Sequence, residues 1–167
     1  GGTIWQMMVA KAIVKTDGTV VKTFTPQRLG TVKAAPSVLA FLRGSLREVI
    51  VSGTAAGAFA GFPVEISGKT GTAEVFGRNP DGSLKDDTSW FASYAPSKNP
   101  RYAVVMMVGQ GGFGASTSGV GVRRIYESLF GVVGGKVVPG AALFPEGKPP
   151  SKLPKISPAT KPKEASK

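Results

Sequence analysis

Two β-prone runs, DTSWFASYA at Asp87–Ala95 and RYAVVMMVG at Arg101–Gly109, are separated only by Pro96-Ser97-Lys98-Asn99-Pro100. So short a connection cannot carry a crossover, so the two runs must be antiparallel neighbours. A third run, about Val64 to Phe76, precedes them across RNPDGSLKD, a polar loop with Pro80-Asp81-Gly82 as its turn. Val104–Met107 reads VVMM, apolar without alternation, which predicts a central strand covered on both faces.

The flanks supply hairpin and helix signals. Gln6 to Phe24 reads as a hairpin about the Asp17-Gly18 turn pair. Pro26 and Gly30 bracket a loop. A helix fits Pro36 to Ser52, where Val38, Leu39, Leu42, Leu46, Val49 and Ile50 recur at three and four residues, with Pro36 in the first turn and Gly53 at the stop. The small-residue stretch Gly53 to Gly61 predicts a close-packed loop. A last helix is expected from about Ser118 to Phe130, with Val122, Ile125, Tyr126 and Leu129 on one face. After Val133 the chain reads as irregular, and its Pro-, Lys- and Ser-rich end has the composition of a disordered tail. The predicted class is α/β, formally α+β: a mainly antiparallel central sheet flanked by helices. The expected division is a folded part at 1–133 and a tail at 134–167.

Composition removes several chemistries. The 167 residues include no Cys and no His, which excludes thiol nucleophiles, the usual zinc sites and any His-based triad. No metal and no cofactor are expected. Acid–base work falls to Lys, Asp, Glu, Tyr or water. The net charge is +11, of which the six Lys and two Glu from Pro145 onward contribute +4. A basic balance suits anionic lipid, an acidic wall polymer or nucleic acid. The chain has no arginine-rich run, no aromatic RNA-binding signature and no helix-turn-helix spacing, so nucleic acid is not expected. No apolar run approaches the ~20 residues that cross a bilayer. The opening Gly1-Gly2, without Met, reads as a cut inside a longer protein.

Ser67-Gly68-Lys69-Thr70-Gly71-Thr72-Ala73-Glu74 is the most specific stretch. Gly68-Lys69-Thr70 fits the end of a phosphate loop, but Pro63 stands where its first Gly belongs and no helix begins after it. Gly109-Gln110-Gly111-Gly112-Phe113-Gly114 matches a dinucleotide fingerprint, yet no second strand follows to complete a βαβ unit; it reads as a flexible strand–helix connection. Lys-Thr-Gly on a strand sets an ammonium beside hydroxyls, and the small residues keep the edge open for an extended peptide. The plainer reading is a solvent-facing edge strand carrying a protective lysine.

SGKTGTAE, the upstream GTAAGAFAGFP and the downstream SWFASYAPSKNPRYAVVMMV together resemble the C-terminal part of the transpeptidase domain of a class B penicillin-binding protein, a cell-wall D,D-transpeptidase. The likeness covers about Gly1 to Val133, and its flanks sit nearer the elongation branch than the division branch. It implies the penicillin-binding/β-lactamase-like fold, only partly present, in the bacterial envelope on the outer side of the cell membrane. The implied partners are a stem peptide ending in D-Ala-D-Ala, β-lactams, the N-terminal half of the same protein and other cell-wall synthesis proteins. The implied chemistry is a serine acyl-enzyme. By match to the motif, Lys69 supplies positive charge near the serine and the substrate carboxylate. Thr70 and Thr72 offer hydroxyls, with Thr72 on the carboxylate. The Thr72 backbone N–H forms half of an oxyanion hole. Gly71 and Ala73 leave room for the acyl chain.

The chain departs from that pattern. No serine has Lys three residues on, so no nucleophile is identified here. Ser97-Lys98-Asn99 spells Ser-x-Asn but follows Lys-Thr-Gly and reads as turn chemistry. Trp90 and Phe91 are expected in packing, one toward the core and one toward a helix. Strand alternation puts Lys69, Gly71 and Ala73 on one face and Thr70, Thr72 and Glu74 on the other, so Lys69 and Thr72 meet one ligand only if the strand twists or the lysine bends round. The competing reading is a non-catalytic module that holds a wall peptide or a partner without acylation.

Overall fold

The computed structural model describes residues 2–143. Of the tail expected from residue 134, residues 144–167 lie outside the described residues.

The centre is a three-stranded antiparallel sheet, β5 (Ser67–Ala73), β6 (Thr88–Ala95) and β7 (Tyr102–Val108), in the order β5-β6-β7. The connection at residues 96–101 turns the chain as its length requires, with the Arg101 N–H on the Ala95 carbonyl at 2.9 Å. β6, not β7, is the central strand. Among the described residues β7 lies at an edge, and Val105 and Met107 are 63% and 55% exposed, so VVMM is not covered on both faces there. Its partners on the covered face are Val104, buried, and Met106, packed against the core.

Ser89, Phe91, Ser93 and Ala95 of β6 alternate into the interior. Helix α2 (Val120–Phe130) covers that face with Val122 and Tyr126, four residues apart and both fully buried. Ile125, expected on the same stripe, is 40% exposed. The helix stops at Gly131, whose left-handed φ of 67° a side chain would resist. A π-helical turn at Ala115–Gly119 leads into α2, so the helical segment begins a few residues before the predicted start at Ser118. Beyond it, β8 (Val132–Val133) and β9 (Lys136–Val137) form a small hairpin, and the Leu143 N–H returns to the Ser128 carbonyl at 2.9 Å. Residues 134–143 therefore pack back on α2, where the sequence suggested only irregular chain.

Helix α1 (Pro36–Val51) starts at its proline and lies along β5. Only Ile50 of its predicted apolar stripe is buried; Val38 and Leu42 remain about half exposed among the described residues. Within the predicted small-residue loop at Gly53 to Gly61, residues 54–61 are a run of turns. It buries Ala55 and Phe59, and the Phe59 ring lies 5.5 Å from that of Phe91. Its carbonyls find a donor in Arg123, which reaches the Ala58 and Ala60 oxygens at 3.0 and 2.9 Å. Irregular backbone is thereby satisfied against the core.

The predicted hairpin forms from β2 (Ala12–Val14) and β3 (Val20–Thr23), with Asp17 Oδ1 accepting the Thr19 N–H at 2.8 Å. That bond holds the Asp17 carboxyl below the usual carboxylate range. The presumed loop after Pro26 contains a strand, β4 (Arg28–Thr31), which pairs with β1 (Thr3–Trp5). Among the described residues no helix is long and apolar enough to cross a membrane.

Candidate functional site

β5 carries the whole Lys-Thr-Gly stretch and is an edge strand among the described residues. Its start is fixed from both sides. Arg47 of α1 donates to the Ile66 carbonyl at 3.0 Å, and Ser67 Oγ donates to Ser97 Oγ at 2.9 Å. Ser97 sits in the tight connection after β6, in the turn role its neighbours suggested. A cleft of about 440 Å³ beside this anchor is lined by Arg43, Arg47, Glu65, Ser67, Ser97 and Lys98.

The direction of the backbone groups follows from three bonds. The Glu65 carbonyl accepts the Ser97 N–H at 2.9 Å, on the β6 side. The carbonyls of Ile66 and Thr70 are taken by Arg47 and Lys69. Odd-numbered residues therefore address β6, and even-numbered residues point their N–H and C=O groups away from it. That alternation turns the Thr72 N–H toward the unpaired edge.

The register Lys69↔Ala92, Gly71↔Trp90 and Ala73↔Thr88 sets these side chains on one face. Thr70 and Thr72 stand on the other, opposite Phe91 and Ser89. The two faces are reconciled by the lysine. Lys69 is exposed, and its Nζ bends round the edge to donate to the Thr70 carbonyl at 2.7 Å. The ammonium is thus brought to the same edge as the Thr72 N–H, although its Cβ starts on the opposite face.

Thr70 Oγ1 lies 3.0 Å from Thr54 Oγ1 of the turn segment. Thr72 Oγ1 accepts the backbone N–H of Gly114 at 3.3 Å. Gly71 is approached closely on both faces. A Cβ there would lie 3.1 Å from Trp90 Cβ, and Gly114 rests on its backbone. Ala73 is exposed at the end of the strand. Phe91 is fully buried, whereas Trp90, on the Lys69 face, is 41% exposed. Of the pair expected in packing, Phe91 is in the core and Trp90 is partly exposed.

The residues that sequence reading passed over are Thr54, Ser89, Gly114 and Ser118. Thr54 sat in a stretch read only as packing. The glycine density of Gly109–Gly114 was the available signal for the close approach to β5. Among the described residues no three His, Cys, Asp or Glu side chains gather in a way that could hold a metal ion. An exposed ammonium, two threonine hydroxyls and an outward N–H on one strand edge can bind an anionic, extended ligand and stabilise negative charge on it.

The chain is similar to known proteins. The family described as penicillin binding protein transpeptidase domain matches residues 1–127. A peptidoglycan D,D-transpeptidase FtsI homolog of Mesostigma viride is 34% identical over 100 residues, which are 57% of this chain and 16% of that protein. The peptidoglycan D,D-transpeptidase MrdA of Haemophilus influenzae is 33% identical over 84 residues, 46% of this chain and 13% of that protein. The chain thus spans only a small part of the length of these relatives. Among solved structures, a component of a peptidoglycan synthase complex that coordinates polymerization and crosslinking superposes with a TM-score of 0.63 at 28% identity, over 83% of this chain and 22% of the other. Penicillin-binding protein 2B of Streptococcus pneumoniae gives 0.60 at 25% identity, over 75% and 22%.

Proposed function

The chain belongs to the penicillin-binding protein transpeptidase family, and on that premise we propose that it supplies the substrate strand of a class B peptidoglycan D,D-transpeptidase. The ligand of β5 is a stem peptide ending in D-Ala-D-Ala, laid along the open edge by main-chain hydrogen bonds. The serine that acts on it is contributed by a part of the full-length protein other than these residues, since no Ser-x-x-Lys occurs among them. That serine Oγ attacks the penultimate carbonyl carbon and loses its proton to a base. The C–N bond to the terminal D-Ala breaks, and the departing amine takes a proton. An amine of a second stem peptide then attacks the acyl-enzyme, forms the cross-link and returns the serine. β-Lactams enter by the same first step and stop at the acyl stage.

The roles proposed for this chain are electrostatic. Lys69 sets positive charge beside the serine and the ligand carboxylate. The Thr72 N–H donates to the oxygen that becomes negative in the tetrahedral state, a contribution of about 3 kcal/mol for one such donor. Thr70 and Thr72 offer hydroxyls to the ligand, and Gly71 and Ala73 leave the edge free of bulk. The observation that carries the reading is the bend of Lys69 over the edge to the Thr70 carbonyl. It brings charge and outward N–H to one side of one strand. The protein acts in the bacterial cell envelope, with other cell-wall synthesis proteins, in the elongation branch.

A fluorescent penicillin tests this on the full-length protein. Covalent labelling that survives denaturing electrophoresis, and that unlabelled penicillin prevents, is the expected result. Absence of label, together with saturable binding of a D-Ala-D-Ala peptide, would instead favour a module that binds wall peptide without acylation.

A further inference from the structure

Thr72 and Ser89 face each other across β5 and β6, and both side chains point at the Gly109–Gly114 connection and the π-helical turn after it. Ser89 and Ser118 are each fully buried. The Ser118 N–H donates to Ser89 Oγ at 3.1 Å, and Ser118 Oγ donates to the Ser89 carbonyl at 3.1 Å. The Ser89 hydroxyl proton is left to the Phe113 carbonyl at 3.1 Å or to Ser118 Oγ at 2.8 Å. Gly112 is tied to the same strand, its N–H on the Asp87 carbonyl at 2.9 Å. These bonds press the connection onto the sheet. At Gly114 the approach is so close that an added Cβ would lie 2.5 Å from the Trp90 carbonyl oxygen and 3.0 Å from the Gly71 nitrogen. No side chain fits there. The glycine brings its own N–H to Thr72 Oγ1 instead.

We propose that Gly114, held down by the Ser89–Ser118 pair, is a positioning residue that fixes Thr72 as a hydrogen-bond donor and so selects a carboxylate ligand. A hydroxyl has one proton and two lone pairs. The Gly114 N–H occupies one lone pair and restricts rotation of the Thr72 side chain. The hydroxyl proton is then turned outward, toward the exposed edge. A carboxylate, which only accepts, meets that donor well. An ester presents a weaker, uncharged acceptor there. The inference rests on the reading of β5 as the substrate strand and adds what enforces its selectivity.

The test uses the full-length protein and compares acylation rates with penicillin G and with its methyl ester. Wild type is expected to prefer the carboxylate by roughly 10-fold or more, the scale of one hydrogen bond to a charged group. Thr72→Val should remove most of that preference, and Thr72→Ser should keep it. Gly114→Ala displaces the N–H, and Ser118→Ala loosens the connection with no added bulk. Each is expected to lower the preference about 5-fold, and Ser118→Ala, which adds no bulk against β5, should leave the ester rate within about 2-fold of wild type. Ser118→Ala keeps the test decisive if Gly114→Ala does not fold. Equal slowing of both ligands would mean that the connection serves stability alone and would overturn the proposal. Failure of wild type to react with either ligand removes the transpeptidase reading and this inference with it.

Discussion

On one face of the β5–β6–β7 sheet, Ser89, Phe91, Ser93, Ala95 and Val104 are buried under α2 and the turn segment. On the other, Lys69, Trp90, Ala92, Val105 and Met107 are exposed. The contrast runs against the usual expectation. Serine hydroxyls are buried beside Phe91 and Val104, while Trp90, Val105 and Met107 are exposed. Burial is possible for the serines because each is satisfied: Ser93 Oγ reaches the Val104 carbonyl at 3.0 Å and Tyr126 Oη at 3.1 Å, and Ser89 is bonded to Ser118. A paired hydroxyl costs little to bury, whereas an unpaired one costs about 1–3 kcal/mol. One face therefore holds the fold together, and the other is left to carry Lys69 and an apolar surface.

The largest expected difference between the faces is in stability. Phe91→Ala leaves a cavity under Phe59 and α2, and in the full-length protein it should cost about 3–5 kcal/mol. Trp90→Ala, on the neighbouring residue and the larger side chain, should cost less than half as much if its face stays open. Denaturant unfolding of the two variants checks this. Equal losses would mean that the remainder of the full-length protein covers Trp90, and would give that face a packing role.

The reverse ordering is expected for chemistry. Lys69→Met removes an exposed charge whose bond is to its own neighbour's carbonyl. Stability should change by less than about 0.5 kcal/mol, as for most surface substitutions. Acylation of the full-length protein by penicillin should slow by about 100-fold, the order of one electrostatic contributor to the transition state. Stopped-flow acylation and thermal unfolding on one preparation separate the two effects. A lysine variant that unfolds early but acylates normally would reverse the assignment of the faces.

The same contrast explains what could be read in advance. Local signals were legible: Pro36 and Gly53 bracket α1, Asp17-Gly18 marks the hairpin, and the connection from Pro96 to Pro100 forces β6 and β7 to pair. Strand β5 was legible because the run about it reads as β-prone and small-residue. Non-local choices were not. Alternation separates two faces but does not say which is covered, so VVMM suggested a central strand where, among the described residues, an edge lies. β1 and β4 pair three- and four-residue segments across more than twenty positions, with too little pattern in either to announce it. The Lys69–Thr72 conflict was real in the alternation of Cβ directions. It is resolved by four methylenes of lysine, which no strand rule describes. Gly114 looked like flexibility, and its reason is a backbone contact from a strand more than forty residues away.

The smallest effect tests whether the buried face depends on its hydroxyls being neutral and paired. Tyr126 is fully buried, and burial pushes its phenol above the ordinary tyrosine value near 10, with hydrogen bonding from Ser93 and from the Val104 backbone pulling part of the way back. The unfolded chain loses this proton first as the solution becomes alkaline. The contribution is therefore complete below about pH 10 and falls away as pH rises through the higher folded value. Tyr126→Phe should cost about 1 kcal/mol at neutral pH through the lost bond to Ser93, whose other bond, to the Val104 carbonyl, remains. Above pH 10 the variant lacks this one ionisation, so the gap between wild type and variant should narrow. Paired unfolding curves from pH 7 to 11 measure it. A gap that stays constant would mean that the Tyr126 phenol reaches water in the folded protein, and that the buried face is less dry than its packing implies.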